Sequence, residues 1–356
     1  RQGGGGGGGG GPPRSSGPSP SRRGESVAAQ LLGQPASASA RDAGEVLEGV
    51  SERGLDEAFR ELRHGSDAAP ASYRAEAAFR SFLWLRSRDG SAALSTSALN
   101  NLVGLVAQPG VRDPGGKARA VESWLECAEG AGAGPAGQAN ARTYSALIAA
   151  YGAAGRPDDA SRVFGRMKGL PGAAPTLVTY RLLIKAYGRA GRAGSAVSLL
   201  WEARGAGLAA DTVTYNAALI ACWKAGEYDL GLEVESRMRA EGVPRDEYTF
   251  SALIATHGQA GSWRRAEAAF REMRAGDVDP TAAHYNALVT AYGLGERWEQ
   301  AEGAVADMGR NGVEPQRKTY NALCAAYERA GRWEDCLGAH RRAEAAGLPA
   351  EAAGAA

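Results

Sequence analysis

Cysteine is scarce in this sequence. The four residues Cys127, Cys222, Cys324 and Cys336 include no C-x-x-C pair. That excludes a disulfide framework and a cysteine zinc site, and it fits a reducing compartment. Aromatic residues make up only 7% of the chain. Net charge is nearly absent too, with 41 Lys and Arg against 40 Asp and Glu. So close a balance excludes a polybasic coat and exerts no global pull toward nucleic acid or membrane. No apolar run approaches the roughly 18 residues of a membrane span, so no membrane partner is expected.

What the chain has in plenty is glycine, 50 of 356 residues, and repetition. Residues 1–41 are rich in Gly, Ser, Pro and Arg, and Glu25 is their sole acid. Such a stretch buries too little apolar surface to offset its chain entropy, so it is expected to be disordered. Two readings fit it: a flexible low-complexity tail, or an organelle transit peptide, which is also Arg- and Ser-rich and acid-poor. The first residue is Arg rather than Met, so a piece of a longer chain is a further reading. Residues 42–140 read as an irregular helical region, with apolar residues at helical spacing in 54–65 and 72–90. A longer-looped helix pair at about 96–140 looks like a degenerate copy of the units downstream.

From residue 141 an aromatic recurs at Tyr144, Tyr180, Tyr215, Phe250, Tyr285 and Tyr320, spaced by 36 and then by 35. Periods of this size mean stacked supersecondary units. Six units follow, 141–176, 177–211, 212–246, 247–281, 282–316 and 317–351, with 352–356 as a tail. In the first, Tyr144, Leu147, Ile148 and Tyr151 mark one face of a helix. Gly155 ends it, Ala160, Val163, Phe164 and Met167 repeat the spacing on a second helix, and Gly172 and Pro175 close the unit. Thr143, Thr179, Thr214, Thr249 and Thr319 mark helix starts, with His284 as the exception. All four methionines, Met167, Met238, Met273 and Met308, hold the same place in their units, which predicts burial between helices. The first core position of each second helix is small: Ala160, Ala196, Gly231, Ala266, Ala301 and Cys336. One such hairpin cannot bury its apolar faces alone, whereas stacked copies bury them in one another.

These units, TYNAL…AYERAGRWEDC among them, strongly resemble pentatricopeptide repeats over about 210 of the 356 residues. The nearest rival is the tetratricopeptide repeat, whose period is 34 and which places a Trp early in the first helix. The resemblance implies an all-α fold, a right-handed superhelical solenoid of antiparallel helix hairpins. It also implies binding of single-stranded RNA, one base per repeat. In the family, the residue after the aromatic and the last residue of the repeat share a base edge. Carried over, the pairs are Ser145 with Thr176, Arg181 with Asp211, Asn216 with Asp246, Ser251 with Thr281, Asn286 with Gln316 and Asn321 with Glu351. Only Asn216 with Asp246 matches a well-used combination, one that reads uracil. Arg181, Thr176, Thr281, Gln316 and Glu351 depart from the pattern. The competing structural reading is that these Ser and Asn residues serve as caps near a helix start. The residues two before the aromatic would sandwich the bases: Arg142, Val178, Val213, Tyr248, Ala283 and Lys318. Arg189, Lys224 and Arg329 would meet the phosphate backbone, while Ala153, Gln259 and Leu294 at that place would not.

Catalytic relatives of such arrays carry an aspartate-rich metallonuclease domain or a deaminase-like zinc signature. Neither stands in this sequence, so no catalysis and no cofactor are expected. Asp158-Asp159 and Glu334-Asp335 fit the dipole of a helix start. His257 holds the place of a sister-unit Tyr and reads as a core or groove residue. The expected protein is an RNA-binding monomer acting on an organellar transcript, in a plastid by first reading and a mitochondrion by second, with protein partners beside it. The alternatives are a protein-interaction scaffold, or the repeat portion of a longer RNA-processing enzyme.

Overall fold

The computed structural model describes residues 26–35, 37–64, 69–88, 94–130, 139–170, 172–276 and 278–348. Among them there is no strand, and no helix is long and apolar enough to cross a membrane. The N-terminal part holds α1 (Val27–Leu32), α2 (Ala40–Leu47), α3 (Glu52–His64), α4 (Ala71–Arg88), α5 (Thr96–Val106) and α6 (Pro114–Gly130). Six hairpins follow. They are α7 (Ala141–Ala153) with α8 (Pro157–Gly169), α9 (Leu177–Arg189) with α10 (Ala193–Gly205), and α11 (Thr212–Ala225) with α12 (Tyr228–Ala240). Then come α13 (Glu247–Gln259) with α14 (Trp263–Ala275), α15 (Ala282–Leu294) with α16 (Trp298–Arg310), and α17 (Arg317–Arg329) with α18 (Trp333–Ala345).

The first helix of every hairpin begins at the first residue of its unit, and capping chemistry explains why. The last residue of the preceding unit is the N-cap, held in an extended conformation. The threonines stand three residues further in, fully buried, not at the cap itself. In most units their hydroxyls accept from the N-cap backbone N–H, as at Thr249 from Asp246 (3.2 Å) and Thr319 from Gln316 (3.0 Å). In the fifth unit His284 Nδ1 takes this role toward Thr281 (3.0 Å). The turn into the second helix needs a left-handed residue. Gly155 supplies it in the first hairpin (φ 68°), and Glu296 takes on that conformation in the fifth (φ 57°).

All four methionines are fully buried, as are Ala160, Ala196, Ala266 and Ala301. Each first helix packs on the first helix of the next hairpin, while each second helix packs chiefly on the first helices flanking it. The first helices therefore form the crowded inner side of a solenoid and the second helices its outer side. At four joints a glycine makes this approach possible. A Cβ on Gly152, Gly188, Gly258 or Gly293 would stand 3.0, 2.8, 2.7 or 3.0 Å from the Cβ of Ala186, Ala221, Ala291 or Ala326. At the joint of α11 and α13 the same places are held by Trp223 and Thr256.

One departure from the sequence reading concerns the N-terminal part. Order reaches into the stretch 1–41, because α1 buries Ala28 and Leu31, one turn apart, against the helices that follow. The pair α5 and α6 continues the array: α5 packs on α7 as α7 packs on α9, with α3 on its other side.

Candidate nucleic-acid interface

The residues expected to read bases sit where successive first helices meet. Asn216 is buried, and its amide is engaged on both sides. Its Oδ1 accepts from the Thr249 hydroxyl (2.6 Å) and its Nδ2 donates to Asp246 Oδ1 (2.8 Å). The structure thus brings together the one pair that matches a common combination. Burial pushes the Asp246 carboxyl up, but hydrogen bonds from the Thr249 amide and hydroxyl and from Asn216 outweigh it and hold its pKa below the usual value. Arg181 reaches Asp211 in an ion pair (3.5 Å), so this departing pair is also in contact. The Asp211 carboxyl is likewise pushed up by burial, yet held low by the Thr214 hydroxyl and amide and by Arg181.

Two further pairs meet through the buried threonine. Ser145 Oγ lies 3.0 Å from Thr179 Oγ1, which stands 3.3 Å from Thr176 Oγ1. Asn286 Oδ1 accepts from Thr319 (2.6 Å), the residue that also caps Gln316. Thr281 binds His284 instead, and the His284 ring continues to the Glu247 carbonyl (2.8 Å). Asn321 is exposed, and Glu351 lies outside the described residues. The capping role weighed for the Ser and Asn residues therefore falls to their partners, since Thr176, Asp211, Asp246, Thr281 and Gln316 are all N-caps. Asn100 in α5 holds the equivalent place to Ser145: its Oδ1 accepts from the Thr143 hydroxyl (2.7 Å), and Asn140 is the matching N-cap. The sequence hid this pair because its unit carries a longer loop.

The six proposed stacking residues are all exposed, Tyr248 most among the large apolar ones at 64%. Tyr248, Ser251, Ala283, Asn286 and Lys318, five residues named from the sequence, line one cavity of about 500 Å³ on the inner side. Its floor is made of small apolar residues such as Ala255 and Ala287. Gln259, which holds a phosphate-facing place without a cation, lines it too. Trp223 and Thr290 also line it and were missed, because the repeat pattern assigns those places no role.

Charge is sorted between the two sides. The six first helices carry Arg142, Arg181, Lys185, Arg189, Lys224, Arg317, Lys318 and Arg329 against only two acids, Glu247 and Glu328. Arg142, Lys185, Arg189, Lys224, Lys318 and Arg329 are exposed and form no ion pair with described residues; Arg189 donates to the Gly152 carbonyl (3.3 Å). On the outer side most basic residues are neutralised locally, while Arg264, Arg265 and Arg341 form no ion pair with described residues. Arg162 pairs with Glu122, Arg166 with Glu126 (2.7 Å), Arg204 with Glu241 and Arg274 with Asp307 (3.1 Å). Lys185 and Arg189, one turn apart on α9, line a second inner cavity of about 570 Å³.

A solenoid of 35-residue helix hairpins with a basic inner groove is a class of its own, and comparison with known proteins agrees. The pentatricopeptide repeat domain matches residues 138–190 and 198–260, the PPR repeat 178–208, and the pentacotripeptide-repeat region of PRORP 256–355. The chain belongs to the pentatricopeptide repeat family. It is similar to the crystal structure of the pentatricopeptide repeat protein PPR10 from maize, with 26% identity and a TM-score of 0.62 over 91% of this chain and 44% of that one. The structure of PPR10 in complex with an 18-nt psaJ RNA element matches with 18% identity and a TM-score of 0.66, over 91% and 45%, a likeness of fold. The chain thus spans less than half the length of these structures. No curated protein matches the sequence.

Proposed function

We propose that this chain binds single-stranded RNA along the inner face of its first helices, about one base per repeat. The observation that carries this reading is the sorting of charge: a chain with net charge near zero sets eight cations against two acids on its first helices, six of them exposed and unpaired, and pairs most cations of the other face with acids. Phosphate neutralisation dominates nucleic-acid affinity, so what matters is the local field and not the total. Base-edge groups at the seams, exposed side chains between them and the RNA-bound state of PPR10 support the same reading. The role is passive. The groove holds a transcript and so changes which nuclease, ribosome or processing factor reaches it. Action in an organelle, a plastid before a mitochondrion, belongs to the proposal on the composition of residues 1–41, and so does the absence of catalysis by this chain.

The test is fluorescence anisotropy with a random single-stranded RNA pool at about 50 and 200 mM salt, alongside Asn216→Ala. Binding that weakens with salt, and a uracil preference that relaxes in the variant, supports the proposal. A folded protein that binds at neither salt overturns it and points to a protein scaffold.

A further inference from the structure

The joint between α11 and α13 breaks the rule kept at its neighbours. Elsewhere a glycine on one first helix meets an alanine on the next, closer than a side chain would allow. Here Trp223 holds the glycine's place and Thr256 the alanine's. The neighbouring position changes with it: the buried tyrosine of Tyr151, Tyr187, Tyr292 and Tyr327 is Cys222 in this unit. Bulk has moved by one residue, from the core to the groove. The consequences run through the joint. Thr256 is fully buried and its hydroxyl has no partner among the described residues. The apolar core also changes hands there, from a cluster that runs up to Leu253 to one that begins at Phe250 and Ile254.

Trp223 is not spent in packing. Its side chain stays exposed at 39% and lines the 500 Å³ cavity together with Tyr248, Ser251, Ala283 and Lys318. That volume lies within the range of small-ligand pockets, roughly 300–1,000 Å³. The stacking positions at this level pass from Tyr248 to Ala283, so one of them offers only a methyl. Phosphate-facing cations lapse over the same stretch, at Gln259 and Leu294. An indole in the groove supplies flat apolar surface where one periodic stacking place is reduced to Ala283 and the next periodic cation is replaced by Gln259. Lys224 beside it and Lys318 across the cavity give the pocket the sign of charge that suits a polyanion.

We infer that Trp223 is an RNA-contact residue that stacks on a nucleobase seated in this cavity, a contact outside the repeat's periodic positions. The inference rests on the RNA reading above, and the test separates the two. Trp223→Gly restores the residue of the sister repeats, Trp223→Leu keeps bulk without a ring, and Trp223→Phe keeps a ring. All three are compared with the full chain by anisotropy on the random RNA pool, by intrinsic fluorescence and by thermal unfolding. Loss of one base–aromatic stack weakens binding by about fivefold to a hundredfold by alanine substitution, so the Gly and Leu variants are expected in that range. The Phe variant is expected to bind close to wild type, and RNA is expected to quench wild-type emission more than that of any variant. Wild-type binding that persists unchanged in folded Gly and Leu variants overturns the role of Trp223 and leaves the RNA reading intact. No wild-type binding overturns both. An indole that responds to an unstructured peptide pool and not to RNA assigns the cavity to peptide and overturns the inference.

Discussion

The inner and outer helices of each hairpin come from the same short repeat, yet they are built to different ends. An outer helix carries acids beside its cations, pairs most of them, and spaces itself from the next outer helix. The inner helices together carry eight cations against two acids, and glycine and alanine let most of them touch the next inner helix. The contrast teaches that repeat proteins separate stability from recognition by face and not by domain, because every unit must stack and every unit can also present a side chain to the groove. It also shows why a net charge of +1 said little about nucleic acid. The sum hides a division that only the stacking makes.

The contrast can be broken most strongly through charge. Reversing Lys185, Arg189 and Lys224 to Glu is expected to weaken RNA binding by about a hundredfold at low salt. The salt slope should shrink by roughly 2, at ~0.7 for each phosphate no longer neutralised. Reversing the outer residues Arg166, Arg204 and Arg274 should leave affinity within about twofold, since screened charges more than a Debye length (~10 Å) from the groove contribute little. Equal weakening in the two triple variants would erase the distinction between the faces.

Backbone approach offers a second test. Gly258→Ala places a Cβ 2.7 Å from the Cβ and 3.0 Å from the Cα of Ala291, so the inner helices must part. Overpacking of this kind costs about 1–3 kcal/mol, read as a lower urea midpoint. A smaller effect is expected at the cap. Asp246→Ala removes an N-cap and the partner of Asn216, for about 1 kcal/mol of stability near neutral pH. Because the folded-state pKa of Asp246 is depressed, its contribution is present above the unfolded value, about 3.9, and is lost as pH falls through the folded value. Urea titrations of wild type and variant should therefore converge in strong acid, and a gap that persists there would show that the carboxylate is not the stabilising group. The smallest change has the opposite sign. Gly303, on the outer helix α16, has open space where a Cβ would stand, so Gly303→Ala should gain up to about 1 kcal/mol from helix propensity alone. A drop in stability there would mean that the outer face is more tightly covered than the structure shows.

Much of the fold was legible because period and pattern agree. The recurring aromatic set the length of the unit, Met167 and its three counterparts marked the buried side, and Thr three residues after each cap marked where each inner helix begins. The degenerate unit at α5 and α6 was less legible, since its long loop breaks the period although Asn100 and Asn140 keep their places. For the site, periodicity named Tyr248, Ser251, Ala283, Asn286 and Lys318 without showing that they share one cavity. It passed over Trp223, because a pattern built on sameness ranks the odd residue as noise.

Spacing along one chain was enough to set the hairpins, their number from residue 141 onward and their buried faces, because amphipathic period is a local property of the residues that carry it. Stacking alone settled which cations stay unpaired, which caps touch which seam side chains, and that the indole of one joint lines a groove cavity. These depend on what neighbouring repeats bring to each other across a gap of about 35 residues, and charge pairing and close approach act through space and not along the chain.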